Sequence, residues 1–131
     1  MTYPRAFALS ETFWSAKEAK NWNDFIVRVE HHFERFDNSS HNISKAVLDP
    51  IINVYNENGM LMCELKNSVP NTQIFYSIDN TFPVQFGKQY SSPFVIPEGD
   101  FSLRTQTFKN NKPIGRLLQI HRDELLKRVR K

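Results

Sequence analysis

Ile51-Ile52-Asn53-Val54-Tyr55-Asn56-Glu57-Asn58-Gly59-Met60-Leu61-Met62-Cys63-Glu64-Leu65-Lys66 is the stretch that decides the fold. Two strand-like runs, Ile51 to Glu57 and Met60 to Lys66, flank Asn58-Gly59. An Asn-Gly pair between two such runs is the strongest short hairpin signal, because both central residues of the turn take positive φ. A two-residue loop there fixes the register. Ile52 faces Leu65 and Val54 faces Cys63, which puts four apolar residues on one face. The other face pairs Asn53 with Glu64 and Tyr55 with Met62 and is more polar.

Downstream, further strands are predicted at Gln73 to Ile78, Phe94 to Ile96, Phe101 to Phe108 and Ile114 to Ile120. Turn clusters separate them: Val69-Pro70-Asn71, Asp79-Asn80, Pro97-Glu98-Gly99-Asp100 and Asn110-Asn111-Lys112-Pro113. Many short strands at such spacing predict an antiparallel sandwich. The last residues, His121 to Val129, predict a helix with Leu125, Leu126 and Val129 on one side.

Upstream of about residue 43 the period is helical. Pro4 stands where a first helix would begin, since its fixed φ and missing N–H suit a first turn. Ala6, Phe7, Ala8, Leu9, Phe13 and Trp14 make that helix apolar on nearly every side, and such helices are normally buried. The segment therefore reads as part of something larger. Ser15 and Glu18 form a capping-box pattern. Asn21 or Asn23 can cap a longer helix whose Trp22, Phe25, Ile26, Val29, Phe33 and Phe36 recur at spacings of three and four. Asp24, Arg28, Glu30, Glu34 and Arg35 fill its other side, and Asn38-Ser39-Ser40-His41-Asn42 ends it. The expected fold class is α+β, with helices over residues 1–43 and a sandwich over 44–131.

The chain has 131 residues and a net charge of +3. That length buries a core without disulfides or metal. Aromatics are 13%, eleven of them Phe, which excludes a disordered chain. The basic excess sits mostly at the C-terminal end, in Arg116, Arg122, Lys127, Arg128, Arg130 and Lys131, and reads as a solvated helix rather than a nucleic-acid footprint. No run of eighteen apolar residues occurs, so no membrane span is expected. Cys63 is the single cysteine. It forms no intrachain disulfide and reads as a small buried apolar residue.

Two likenesses to known families emerge from these residues. Tyr3-Pro4-Arg5-Ala6, Ala8-Leu9-Ser10-Glu11, Trp14-Ser15, Lys17-Glu18, Trp22, Phe25, His32 and Phe36 resemble the end of the catalytic barrel in family 20 glycoside hydrolases, the β-N-acetylhexosaminidases. Phe75-Tyr76-Ser77-Ile78-Asp79-Asn80-Thr81-Phe82-Pro83, Tyr90-Ser91-Ser92-Pro93-Phe94, Leu103-Arg104-Thr105-Gln106-Thr107-Phe108 and Lys112-Pro113-Ile114-Gly115 are similar to the C-terminal sandwich of chitobiases and bacterial hexosaminidases, an immunoglobulin or fibronectin-III-like module. The usual turn there is Tyr-Thr-x-Asp-Gly. Ser77 replaces its Thr and Asn80 its Gly, and Asn is the next residue to tolerate positive φ. The likenesses imply a bacterial parent enzyme, periplasmic, secreted or on the cell surface, which removes terminal N-acetylhexosamine from glycans. That family uses the substrate's own acetamido group as nucleophile. It needs an adjacent Asp-Glu pair, the Asp to stabilise the acetamido group and the Glu to protonate the leaving oxygen.

By the resemblance, that pair belongs well upstream of this segment. The single consecutive Asp-Glu, Asp123-Glu124, lies in the basic tail, outside the context such a motif needs. No catalytic, substrate-binding or metal-ligating residue is therefore assigned, and no cofactor is expected. Arg5 and Glu11 belong to the barrel-like motif. They are expected to have paired with buried barrel groups, and to stand without partners here. His31-His32 point apart on a helix and form no metal site; His32 reads as packed. Asn38-Ser39-Ser40 and Asn42-Ile43-Ser44 fit the glycosylation rule, which matters only in a eukaryotic secretory host.

The expected function is a non-catalytic accessory region, with the upstream barrel as partner and glycans met through the parent. Apolar surface on the N-terminal helices is expected either to fold onto the sandwich or to be buried in a homodimer. The alternative is a carbohydrate-binding or protein-interaction sandwich, with Tyr55, Phe82, Phe86 and Tyr90 as stacking residues.

Overall fold

The computed structural model describes residues 5–39, 44–83 and 87–130. They fall into two compact units, Met1–Val47 and Leu48–Lys131. The expected helix start at Pro4, the sequon residues Ser40, Asn42 and Ile43, and the stacking candidate Phe86 lie outside the described residues.

The first unit contains α1 (Arg5–Trp14), a single 3-10 turn (Lys17–Ala19) and α2 (Trp22–Asp37). Asn21 is the cap of α2. Its side-chain oxygen accepts from the N–H of Asn23 at 2.9 Å and of Asp24 at 3.5 Å, satisfying donors that a helix start leaves open. Four of the six stripe residues, Phe25, Ile26, Val29 and Phe33, are buried. α1 meets α2 through Phe7, whose ring stacks on His32 at 5.0 Å and tilts against Phe36 at 6.1 Å. Lys20 Nζ donates to the carbonyl of Thr12 at 2.9 Å and so satisfies one acceptor at the end of α1.

Two expectations for this unit need correcting. The Ser15–Glu18 capping box does not form: Ala16 precedes the 3-10 turn and no side chain caps it. α1 has no buried residue. Leu9, Phe13 and Trp14 are 57%, 78% and 88% exposed. One helix touched along the Phe7 edge cannot cover an apolar surface that runs all round.

The second unit is a sandwich of two sheets. The hairpin β1 (Ile51–Glu57) and β2 (Met60–Lys66) has the register that Asn58-Gly59 dictates, with Ile52 opposite Leu65 and Val54 opposite Cys63. Asn58 and Gly59 take φ of 53° and 81°. β5 (Phe94–Val95) adds to β2, and β9 (Val129–Arg130) adds parallel to β1. The second sheet is built on β3 (Gln73–Ser77) and β6 (Ser102–Lys109). β4 (Lys88–Gln89) flanks β3, while β7 (Lys112–Pro113) and β8 (Leu118–His121) both pair with β6. The short helix α3 (Arg122–Lys127) follows.

The core lies between the sheets. Val54, Cys63 and Leu65 of the first share one buried cluster with Ile74, Leu103 and Ile120 of the second, joined by Ile96, Phe101 and Leu125. β6 sends Leu103, Thr105 and Thr107 inward, each 0% exposed. The two hydroxyls are bonded, Thr105 to the carbonyl of Phe75 and Thr107 to Asn67 Oδ1, so neither is a buried unpaired donor.

The elements of this unit depart from expectation at three places. Ile114 to Ile120 is not one strand, because Gly115 and Arg116 leave the ladder for Leu48 and Asp49 before β8 begins. Val129 is not on the closing helix: α3 ends at Lys127 and the chain turns into β9. β4 carries no apolar alternation in Lys88-Gln89 and was not predicted.

Cys63 is 0% exposed, and burial pushes its thiol from 9.0 up to about 12. A thiol this high is not a thiolate at neutral pH. It should resist a disulfide-exchange reagent at pH 8 while the sandwich is folded and react fully in denaturant. Between pH 9 and 12 the unfolded chain holds fewer protons at this thiol than the folded one, so stability falls as pH rises through that window. Rapid labelling of native protein at pH 8 would contradict this packing.

Candidate functional site

Ser77 ends β3, and the next five residues make a turn that holds itself. Ser77 Oγ donates to the carbonyl of Thr81 at 2.5 Å. Asp79 Oδ1 accepts twice from Thr81, from its hydroxyl at 2.5 Å and its N–H at 3.2 Å. These bonds from Thr81 hold the Asp79 carboxyl below the usual carboxylate range, with Lys88 nearby adding to the effect. Asn80 takes φ of 62°, so the substitution of Asn for Gly keeps the turn.

β6 supplies the other half. Arg104 lies opposite Ser77 in the ladder. Its guanidinium donates to the carbonyl of Asn80 and to Gln119 Oε1 at 3.3 Å, and stands over the ring of Phe82 at 5.2 Å. Phe82 remains 60% exposed. Beside the turn is a cleft of about 260 Å³ lined by Tyr76, Ser77, Ile78, Asp79 and Lys88. The result is an exposed aromatic ring on a pinned turn, edged by one carboxylate and two cations.

The three described stacking candidates, Tyr55, Phe82 and Tyr90, have different surroundings. Tyr90 packs on the core, edge to face with Tyr76 at 6.2 Å, and Tyr76 in turn stacks on Phe94 at 4.5 Å. Burial raises both phenols above their ordinary range. Tyr55 is half-buried in β1, beside Met62 and Arg130 in neighbouring strands. Among the described candidates Phe82 is the most exposed, with Arg104 over its ring. Its neighbours Asp79 and Arg104 carry no local pattern that marks them in the sequence, and the β3–β6 register that joins them is not legible there.

Elsewhere, Asp49 is a structural anchor. It is 8% exposed and accepts from the N–H of Arg116 at 2.9 Å, from Nε at 2.9 Å and from Nη2 at 2.6 Å. The bonds to Asp49 raise the guanidinium above its ordinary value. Asp123 and Glu124 are exposed in the first turn of α3, where acidic groups favour the helix. Glu11 is not left alone: Arg28 pairs with it at 2.5 Å. Arg5 is exposed. Among the described residues no three His, Cys, Asp or Glu side chains converge as metal ligands. No helix among them is long and apolar enough to cross a membrane.

Residues 63–118 match the Fn3-associated family model. The match runs from within β2 to the start of β8 and takes in the pinned turn, Arg104 and most of the core. No curated protein matches the chain. Fold and match together support an accessory β-sandwich module of the fibronectin-III-associated kind over this segment.

Proposed function

We propose that the chain is a non-catalytic C-terminal region of a bacterial β-N-acetylhexosaminidase, whose sandwich is an accessory module and whose helices complete the catalytic barrel. The observation that carries the reading is order. The barrel-end motif of residues 3–36 precedes a sandwich motif that coincides with the Fn3-associated match at residues 63–118. Two independent likenesses in that sequence favour one parent over a free-standing module.

The exposed Leu9, Phe13 and Trp14 support the same reading, because apolar patches of this kind mark surfaces that another body covers. The upstream barrel is that body in the parent. In the isolated chain a second copy takes its place, which light scattering on a size-exclusion column reads directly; a strictly monomeric chain with both helices ordered contradicts it. The parent acts outside the cytoplasm, in the periplasm, at the cell surface or in the medium. It takes terminal N-acetylhexosamine as substrate.

A deletion tests the accessory role. Removing residues 48–131 from the complete enzyme should lower its thermal midpoint while the remaining folded fraction keeps its turnover of a chromogenic β-N-acetylglucosaminide. Loss of turnover in folded, thermally unchanged enzyme would assign the sandwich a direct part in chemistry and overturn the reading.

A further inference from the structure

We propose that the turn Ser77–Phe82, with Arg104 beside it, is a contact site for an uncharged pyranose oligosaccharide, and the proposed parent makes β-linked N-acetylglucosamine the sugar; that choice rests on the reading above. Phe82 has one face under the Arg104 guanidinium and is still 60% exposed, which leaves ring surface for the apolar C–H face of a sugar. The platform is preorganised. Bonds from Ser77, Asp79 and Arg104 fix residues 79–81 before any ligand arrives, and an ordered surface loses less freedom on binding.

Polar recognition groups lie on the same turn and in the cleft beside it. Among the described residues both bonds that Thr81 makes to Asp79 fall on Oδ1, and Oδ2 is the oxygen proposed to accept from sugar hydroxyls. Lys88 borders the same cleft, and the Gln119 amide is held at Arg104. A cleft of about 260 Å³ has room for one monosaccharide, the space of roughly eight or nine waters at about 30 Å³ each. One carboxylate between two cations gives no single-signed field, which fits an uncharged polar ligand and disfavours a polyanion.

The test is a titration of the ¹⁵N-labelled full chain with the tetramer of β-1,4-linked N-acetylglucosamine, up to about 10 mM, with cellotetraose in parallel. The expected result is saturable shifts confined to residues 77–82, Arg104 and Gln119 with the first sugar and weaker ones with the second. Phe82→Ala, checked for an unchanged spectrum elsewhere, should weaken binding about tenfold. Asp79→Asn keeps the shape and one acceptor, and should weaken it less. No shifts, shifts around Tyr55 instead, or unaltered affinity in Phe82→Ala would overturn the site. Equal or tighter binding of cellotetraose would overturn the assigned sugar. These outcomes leave the accessory reading to the deletion experiment, which reads stability and turnover and not sugar binding.

Discussion

Leu103→Ala is expected to destabilise the sandwich by about 3–5 kcal/mol, the upper part of the range for truncating a buried leucine. Leu103 is 0% exposed on β6, the strand that pairs with β3, β7 and β8. It belongs to the cluster in which Val54, Cys63 and Leu65 of the other sheet also pack. Truncation removes methyls from between two hydrogen-bonded sheets, and paired backbones cannot close in on the cavity as a helix or loop would. At about 4–8 °C per kcal/mol for a domain of this size, the midpoint should fall by at least 12 °C or so. Urea unfolding followed by far-UV circular dichroism reads the loss, with an unchanged slope. A cost below about 1.5 kcal/mol would mean that the two sheets do not share this core.

The second large effect is expected at Gly115. Its φ is not in the left-handed region, so backbone freedom is not why glycine stands there. The reason is space. A Cβ at this position would lie 2.7 Å from the carbonyl oxygen of Leu48, 3.2 Å from its carbon and 3.3 Å from Thr107 Cβ. The contacts are backbone and a buried side chain, so neither can swing away. The segment is also tied in place. Ile114 and Gly115 both donate to the carbonyl of Thr107, Gln106 donates to the carbonyl of Gly115, and Arg116 is locked onto Asp49. Gly115→Ala should cost about 2–3 kcal/mol, as overpacking at a rigid site does. Gly59→Ala is the control. It stands in open space at φ of 81°, so its smaller cost measures backbone strain alone. Equal costs at the two positions would contradict the steric account.

These positions also mark where the amino-acid sequence was readable. The hairpin register was fully legible, since Asn58-Gly59 demands positive φ at both turn residues and only one pairing then puts Val54 and Cys63 on the same face. The Asn21 cap and the α2 stripe were legible for the same kind of reason, because a local rule decided them. What escaped was non-local. Gly115 breaks a strand-like run because Leu48 lies against it, 67 positions away in the chain from the same clamp's point of view at Asp49–Arg116. β9 depends on an open edge of β1 that two residues, Val129 and Arg130, can fill without any pattern of their own. Glu11 reads as unpartnered in the sequence because Arg28, its partner, falls on the polar side of the α2 pattern.

The candidate site divides in the same way. Asn80 could be read as a glycine substitute from its place in the turn, and its φ of 62° agrees. Phe82 was one of four aromatics with equal standing. Only the pairing of Ser77 with Arg104 across β3 and β6 distinguishes it, by bringing a guanidinium to the turn and its ring. Tyr90, by contrast, carries its aromatic surface into the core, which no local pattern announces.

The most direct measurement is hydrolysis of a chromogenic β-N-acetylglucosaminide by this purified chain and, in parallel, by the longer, complete product that the proposed function predicts. An accessory region without the acetamido-stabilising Asp and its Glu neighbour should give a rate equal to buffer, while the complete product turns the substrate over. Turnover that follows the isolated chain through purification, or a complete product with no such activity, would contradict the account.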